Sequence, residues 1–295
     1  MSFLSSLFPR QADPEPASAI DSGPETYPES DASDGPVNSK SALTEKVRDQ
    51  LASVVPDIGF VEERANETEA SRAHEAVQRN SLYKTWLKSS NSEKLLVYYE
   101  PENDDDPNGV TALSALCLRV RADFLNQEEK KTKGQTSRKE KNLHGKNIVL
   151  LWFSSQHKHE DEYKTRGKRA RAMLGSLTSQ LIAECRHRDI SMQGLEKYTD
   201  RAVTRHTDNR LELFKMLVRQ IPSDYGLACI IDDVCYFDQP ELRDGACKVF
   251  ECLFSLNNDR LVKAKVNMFF TSRSKPTLVY DYFQKPDRTI VWDDL

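Results

Sequence analysis

Leu227-Ala228-Cys229-Ile230-Ile231-Asp232-Asp233 sets five apolar residues directly before two acids. A run this short and apolar throughout reads as a strand buried on both faces, since a half-exposed strand would alternate and a helix would need more length. The same pattern recurs on either side. Leu95-Leu96-Val97-Tyr98-Tyr99, Ile148-Val149-Leu150-Leu151-Trp152-Phe153 and Val266-Asn267-Met268-Phe269-Phe270 are three more such runs, and Thr289-Ile290-Val291-Trp292 is a fifth. Between them apolar residues repeat at helical spacing, in the sets Leu113 to Phe124, Met173 to Cys185, Leu211 to Ile221 and Ala246 to Leu256. Continuous apolar strands alternating with amphipathic helices predict an α/β domain over residues 91–295, built on a mainly parallel sheet covered by helices.

A parallel sheet presents ligand-binding groups beyond the carboxyl ends of its strands, and three of those ends are informative. Asp232, with Asp233 beside it, stands where a Walker B acid would hold Mg²⁺ next to nucleotide phosphates; a doublet there also suits a turn or a helix cap. Thr271-Ser272-Arg273 follows the fourth strand, where a side chain can sense a γ-phosphate; the other reading is a turn with a surface arginine. After the first strand the phosphate loop G-x-x-x-x-G-K-[ST] is due. Aligned on Gly109, the chain keeps the second glycine and the hydroxyl, Thr111, but has Val110 for the lysine and Asp104 for the first glycine. Lys94 and Arg273 are the cations able to stand in. Five acids lie within residues 100–106, and they oppose a polyanion at short range. The alternative is that this acidic loop itself binds a divalent cation.

The remainder of the chain frames this domain. Residues 1–40 hold six of the thirteen prolines and seven acids against two bases, a composition that predicts a disordered tail. Residues 41–55 read as a short amphipathic helix, and residues 68–88 as another that ends in the cluster Tyr83, Trp86 and Leu87, so 41–90 is a helical lead-in. Gln127–Lys146 has seven bases against three acids and no apolar period, which predicts a flexible basic insertion. The net charge of −4 gives no global reason to expect nucleic acid as a partner. No apolar run approaches the length that spans a bilayer, and the N-terminus lacks the positive region of a secretory signal. The six cysteines form no C-x-x-C pair and sit in apolar patterns, as buried reduced thiols of a cytoplasmic protein do. His157 and His159 share one side of an extended chain without a cysteine to complete a metal set. The basic run Lys164–Arg171 reads as a solvated helix start. No nucleophile system stands out.

The ordered anchors resemble the NACHT-type P-loop NTPase domain of fungal STAND proteins, the nephrocystin-like group. The likeness covers residues 70–295. Ser81-Leu82-Tyr83-Lys84-Thr85-Trp86-Leu87 is similar to the family's lead-in. Leu151–His157 followed by Arg171–Ile182 resembles its second strand and helix, Cys229–Val234 its Walker B strand, and Phe269–Arg273 its sensor 1. The resemblance implies an ASCE-type P-loop sheet and a nucleotide-gated switch in signalling or non-self recognition. The departures imply a degenerate form. The lysine is missing, and Val234-Cys235-Tyr236 stands where the family continues with carboxylates that polarise the attacking water. Asp238 follows two residues late. The chain stops soon after sensor 1, and no ankyrin, TPR or WD40 period is present.

These readings lead to two expectations and a third possibility. The first is a non-catalytic STAND/NACHT-like signalling or scaffold module that acts through contacts with other proteins and needs no cofactor. The second is a nucleotide-binding NTPase switch using ATP or GTP with Mg²⁺. Gly109, Val110, Thr111, Asp232, Asp233, Thr271 and Arg273 then line a vestigial nucleotide site, and Asp232 holds the metal only if nucleotide binds. The third is a truncated relative of a longer STAND protein.

Overall fold

The computed structural model describes residues 39–51, 58–98, 110–132, 146–154, 168–200, 203, 205–284 and 288–291. All of them belong to one unit, Asn38–Leu295. The tail over residues 1–38, the acidic run 100–106, Gly109, residues 133–145 and the pair His157 and His159 lie outside the described residues.

Four helices lead in: α1 (Ser39–Leu51), α2 (Ile58–Arg64), α3 (Glu67–Arg79) and α4 (Ser81–Lys88). Then follow β1 (Lys94–Tyr98), α5 (Ala112–Thr132), β2 (Asn147–Phe153), α6 (Lys168–His187), α7 (Thr207–Gln220), β3 (Gly226–Asp232), α8 (Pro240–Leu256), β4 (Lys265–Ser272) and β5 (Thr289–Val291). The strands form one sheet in the order β2-β3-β4-β1-β5, and every pairing is parallel. One strand, β4, is inserted between β1 and the strand ending at Asp232. This is the ASCE-type, P-loop-NTPase-like order that the resemblance implies.

Alternation along each strand divides the core in two. Leu96, Ile148, Leu150, Trp152, Leu227, Cys229, Ile231, Met268 and Phe270 face α1, α6, α7 and α8. Leu95, Val97, Leu151, Phe153, Ala228, Ile230 and Phe269 face α2, α3, α4 and α5. The central strands β3 and β4 are buried almost throughout, which explains their unbroken apolar sequence. Gly226 opens β3 because a Cβ there would lie 2.6 Å from Asn147 Oδ1. That Asn147 side chain is committed, donating from Nδ2 to the Phe124 carbonyl at 2.6 Å.

The lead-in is joined to the sheet through Trp86. Its indole N–H donates to the Met268 carbonyl at 2.9 Å, and its ring packs on Tyr83, Phe124 and Phe269. Buried Asn267 answers from β4, donating to the Trp86 carbonyl and accepting the Glu93 N–H. A second tie is made on Asp123 of α5, whose Oδ2 accepts from Tyr83 at 2.7 Å and from Gln78 at 3.0 Å, with His74 Nε2 at 2.8 Å.

Two sequence boundaries move. The single helix expected over 68–88 is two, because Asn80 closes α3 in an extended conformation and caps α4 by accepting the Leu82 N–H. The expected flexible insertion 127–146 begins as helix. Helix α5 runs on to Thr132, since Glu128, Glu129, Lys130 and Lys131 are good helix formers even without an apolar face, and Gln127 is held by its bond to the Leu87 carbonyl. All six cysteines are free thiols; Cys235 and Cys247 are partly exposed and the other four buried. Among the described residues no helix is long and apolar enough to cross a membrane.

Candidate functional site

The parallel register brings the chemically interesting residues to one edge of the sheet. Ile231 of β3 pairs with Phe270 of β4, so the next residues, Asp232 and Thr271, lie side by side near the carboxyl ends of adjacent strands. After Asp232 the chain turns through Asp233, whose φ of 54° and ψ of 59° are left-handed. Aspartate tolerates this conformation better than most residues. The turn is held on both sides: the Asp233 N–H donates to Thr271 Oγ1 at 3.2 Å, and its carboxylate is paired with Arg273.

Asp232 is 1% exposed, and both of its oxygens are engaged. Thr271 Oγ1 donates to Oδ1 at 2.7 Å, and Ser114 Oγ donates to Oδ2 at 2.6 Å. Burial, then repulsion from Asp233, lifts the Asp232 carboxyl to about 6, against the opposing pull of the two hydroxyls and of Arg273. The Cys117 thiol completes the Thr271 hydroxyl at 3.6 Å.

Ser114 is placed by the start of α5. Thr111 caps that helix: its Oγ1 accepts the Ser114 N–H at 3.2 Å, and its own N–H donates back to Ser114 Oγ at 3.3 Å. This is a reciprocal capping box with serine in the place of the usual Glu or Gln. The hydroxyl that reaches the strand-end acid is therefore Ser114. The expected hydroxyl, Thr111, is spent on the cap. Val110 is buried in the apolar cluster with Leu113 and Ile290. The sequence does carry a signal for Ser114, a hydroxyl on the face that Leu113, Leu116 and Cys117 otherwise make apolar.

Asp233 and Arg273 neutralise each other. Arg273 donates to Asp233 Oδ2 from Nε at 3.0 Å and from Nη2 at 2.9 Å, while Cys235 Sγ donates to Oδ1 at 3.0 Å. Burial and the neighbouring Asp233 carboxylate raise the Cys235 thiol. Lys94, the other cation expected to stand in, opens β1, four residues and about 13 Å from the strand end at the usual rise; its Nζ lies over the Phe254 ring. The basic run also differs from expectation at one residue. Arg169 is 3% exposed, with its guanidinium 4.5 Å over the ring of Tyr236. A cation beside an aromatic face explains why this arginine is inside. Ser154, at the end of β2, keeps a buried hydroxyl without a hydrogen-bond partner among the described residues.

A cleft lies elsewhere. It holds about 580 Å³ between α1 and the end of α6, lined by Leu43, Arg186, Ile190 and Leu195 among others. Its lining also includes Thr44, Asp189, Ser191 and Glu196 but no histidine or cysteine, whereas the buried Asp232 with its two hydroxyl partners gathers at the strand ends. Among the described residues no group of three or more His, Cys, Asp or Glu is arranged to hold a metal ion. No protein-family model matches the chain, and no curated protein matches it.

Proposed function

We propose that this chain is a non-catalytic STAND/NACHT-like module that acts through contacts with other proteins. The observation that carries the reading is the internal saturation of Asp232, whose two oxygens are held by Ser114 and Thr271. In P-loop NTPases the loop hydroxyl and the Walker B acid hold the same Mg²⁺, so their contact marks the register of the loop. Taken from Ser114, that register puts Ala112 at the second glycine, Leu113 at the lysine and Pro107 at the first glycine. Leu113 is wholly buried. On that register no lysine meets the β- and γ-phosphates, and Val110 falls outside the motif's lysine position. The position of the water-polarising carboxylate carries Tyr236 under Arg169. The sensor arginine is bound to Asp233. These residues do not fit a triphosphate that is to be cleaved, and no hydrolytic step is assigned to them.

One observation favours the second reading, a nucleotide-binding switch for ATP or GTP with Mg²⁺. Ser114 and Asp232 are the two groups that would hold the metal, and they are already adjacent. The readings separate on one measurement. If the module is non-catalytic and nucleotide-free, neither Mg-ATP nor Mg-GTP raises the melting temperature, and turnover stays at background in the wild type and in Asp232→Ala alike. A ligand at 100 times its Kd would stabilise by about 2.7 kcal/mol, well within reach of a thermal melt. A rise of that size without turnover supports the switch. Turnover that disappears in Asp232→Ala overturns the non-catalytic reading.

A further inference from the structure

The basic run that opens α6 has a counterpart at the start of α7. Lys168, Arg169 and Arg171 stand in the first turn of α6, and Arg205, His206 and Arg210 flank the start of α7. In a chain of net charge −4 this is a local concentration of positive charge. Arg169 turns away to the ring of Tyr236, but two of the others cross between the helices. Arg171 Nε donates to Thr207 Oγ1, at the start of α7, at 3.4 Å. Arg210 Nη1 donates back to the Arg171 carbonyl at 3.1 Å. Each arginine thus reaches the start of the other's helix, and both are partly buried.

Bringing two guanidinium groups together is unfavourable unless something of opposite charge sits between them. Among the described residues no carboxylate is bonded to the Arg171 guanidinium. The acid in the first turn of α7, Asp208, is drawn off by Lys248 of α8 at 3.4 Å. Burial first, and then the charge of Arg171, pull the Arg210 guanidinium down to about 10; a carboxylate that neutralised it would act the other way. The backbone adds the same sign. His206 gives α7 no side-chain cap, so the N–H groups of the first turn are left for another acceptor, and the helix dipole is positive at this end.

We propose that Arg171, Arg210 and the uncapped first turn of α7 form a binding site for a phosphate monoester group, borne by a free phosphate ion or by a phosphorylated side chain of another protein. Phosphate fits the donors. Its oxygens take paired N–H bonds from an arginine fork and accept the orphan amides of a helix start, while its charge offsets the repulsion between the two guanidinium groups. The site shares no residue with the strand-end acids and does not rest on the functional reading above. A purely structural role, in which Arg210 only staples α7 to α6, predicts no response to phosphate.

The test is a nuclear magnetic resonance titration of the full chain, isotope-labelled at its arginine nitrogens and followed through the side-chain Nε–H signals at constant ionic strength. Inorganic phosphate should shift the Arg171 and Arg210 signals along one saturable curve and leave Arg219, which is bonded to Asp259, in place. Arg171→Gln, read on the remaining Arg210 signal, should weaken binding at least about tenfold, the loss of one hydrogen bond to a charged group. An unshifted Arg219 signal shows that the variant is folded. A peptide whose one charged side chain is phosphoserine separates the sources: tighter binding than inorganic phosphate assigns the site to a phosphorylated protein, equal or weaker binding to the free ion. No saturable shift with either probe in the unmodified protein overturns the proposal, and so does an affinity that Arg171→Gln leaves unchanged.

Discussion

Replacing Asp232 by Asn should stabilise this protein at pH 8. A carboxyl buried to 1% exposure is costly to ionise, and here burial and the neighbouring Asp233 lift it from 3.8 to about 6. One pKa unit corresponds to about 1.4 kcal/mol, so the folded state loses about 3 kcal/mol when this group ionises, relative to the unfolded chain. The folded value is the higher of the two. The contribution is therefore complete only below pH 3.8, declines as the pH rises from 3.8 to the folded value near 6, and is gone above about pH 7. Asparagine approximates the protonated form and keeps a carbonyl for one of the two hydroxyls. The assay is urea unfolding of wild type and Asp232→Asn at intervals from pH 4 to pH 8. The gap should be small at pH 4, open mainly between pH 4 and 6 and level off above about pH 7, with the variant ahead by up to about 3 kcal/mol at pH 8. Taking the difference between the proteins cancels every other titrating group. A variant less stable than wild type at pH 8, or a difference that does not change with pH, would refute the account of Asp232 as a strained, internally held acid.

Three further substitutions probe the surroundings. Leu113→Lys places an ammonium in a fully buried core position; it should lose about 4 kcal/mol or more in chemical denaturation and gain no nucleotide-dependent rise in melting temperature. Tyr83→Phe removes one of the groups bonded to Asp123 Oδ2 and should cost about 1.5–3 kcal/mol at pH 7. Burial pulls the Asp123 carboxyl up, but its bonds from His74, Tyr83 and Gln78 outweigh this and hold it below 3.8. Its stabilisation is thus lost as the pH falls through the lowered value, and denaturation at pH 3 should show a smaller gap between Tyr83→Phe and wild type than at pH 7. Gly226→Ala forces a methyl to 2.6 Å from Asn147 Oδ1 and 3.2 Å from the Phe124 ring; a loss of about 1–3 kcal/mol is expected in the same assay.

The sheet was legible because burial on both faces leaves a strong trace. Central strands such as Leu227–Ile231 cannot alternate, and their strand-end residues Asp232 and Thr271 follow directly. The bond between Ser114 and Asp232 was not legible. Glycine is the most visible landmark in G-x-x-x-x-G-K-[ST], and aligning on Gly109 drew attention to Val110 and Thr111. What identifies Ser114 is a contact across 118 positions, and spacing along the chain carries no record of it. Arg169 was hidden for a similar reason. Its basic neighbours read as a solvated run, whereas the ring that accepts its cation belongs to Tyr236, on a segment 67 residues away. Gln180 stands within an apolar helix pattern as an ordinary polar interruption, and its two bonds to the backbone of Leu151 show only in the fold.

Trp86 also sets a timetable. The carbonyl its indole binds belongs to Met268, 182 residues later. At a synthesis rate of about 5–20 residues per second, the ribosome needs roughly 9–36 s to travel from one to the other. Through that interval the indole and Tyr83 have been made while the strand whose Phe269 packs on both does not yet exist. The earliest part of this domain to be translated is thus among the last to be completed. A fragment ending before residue 268 would leave that aromatic surface open to solvent and to chaperones.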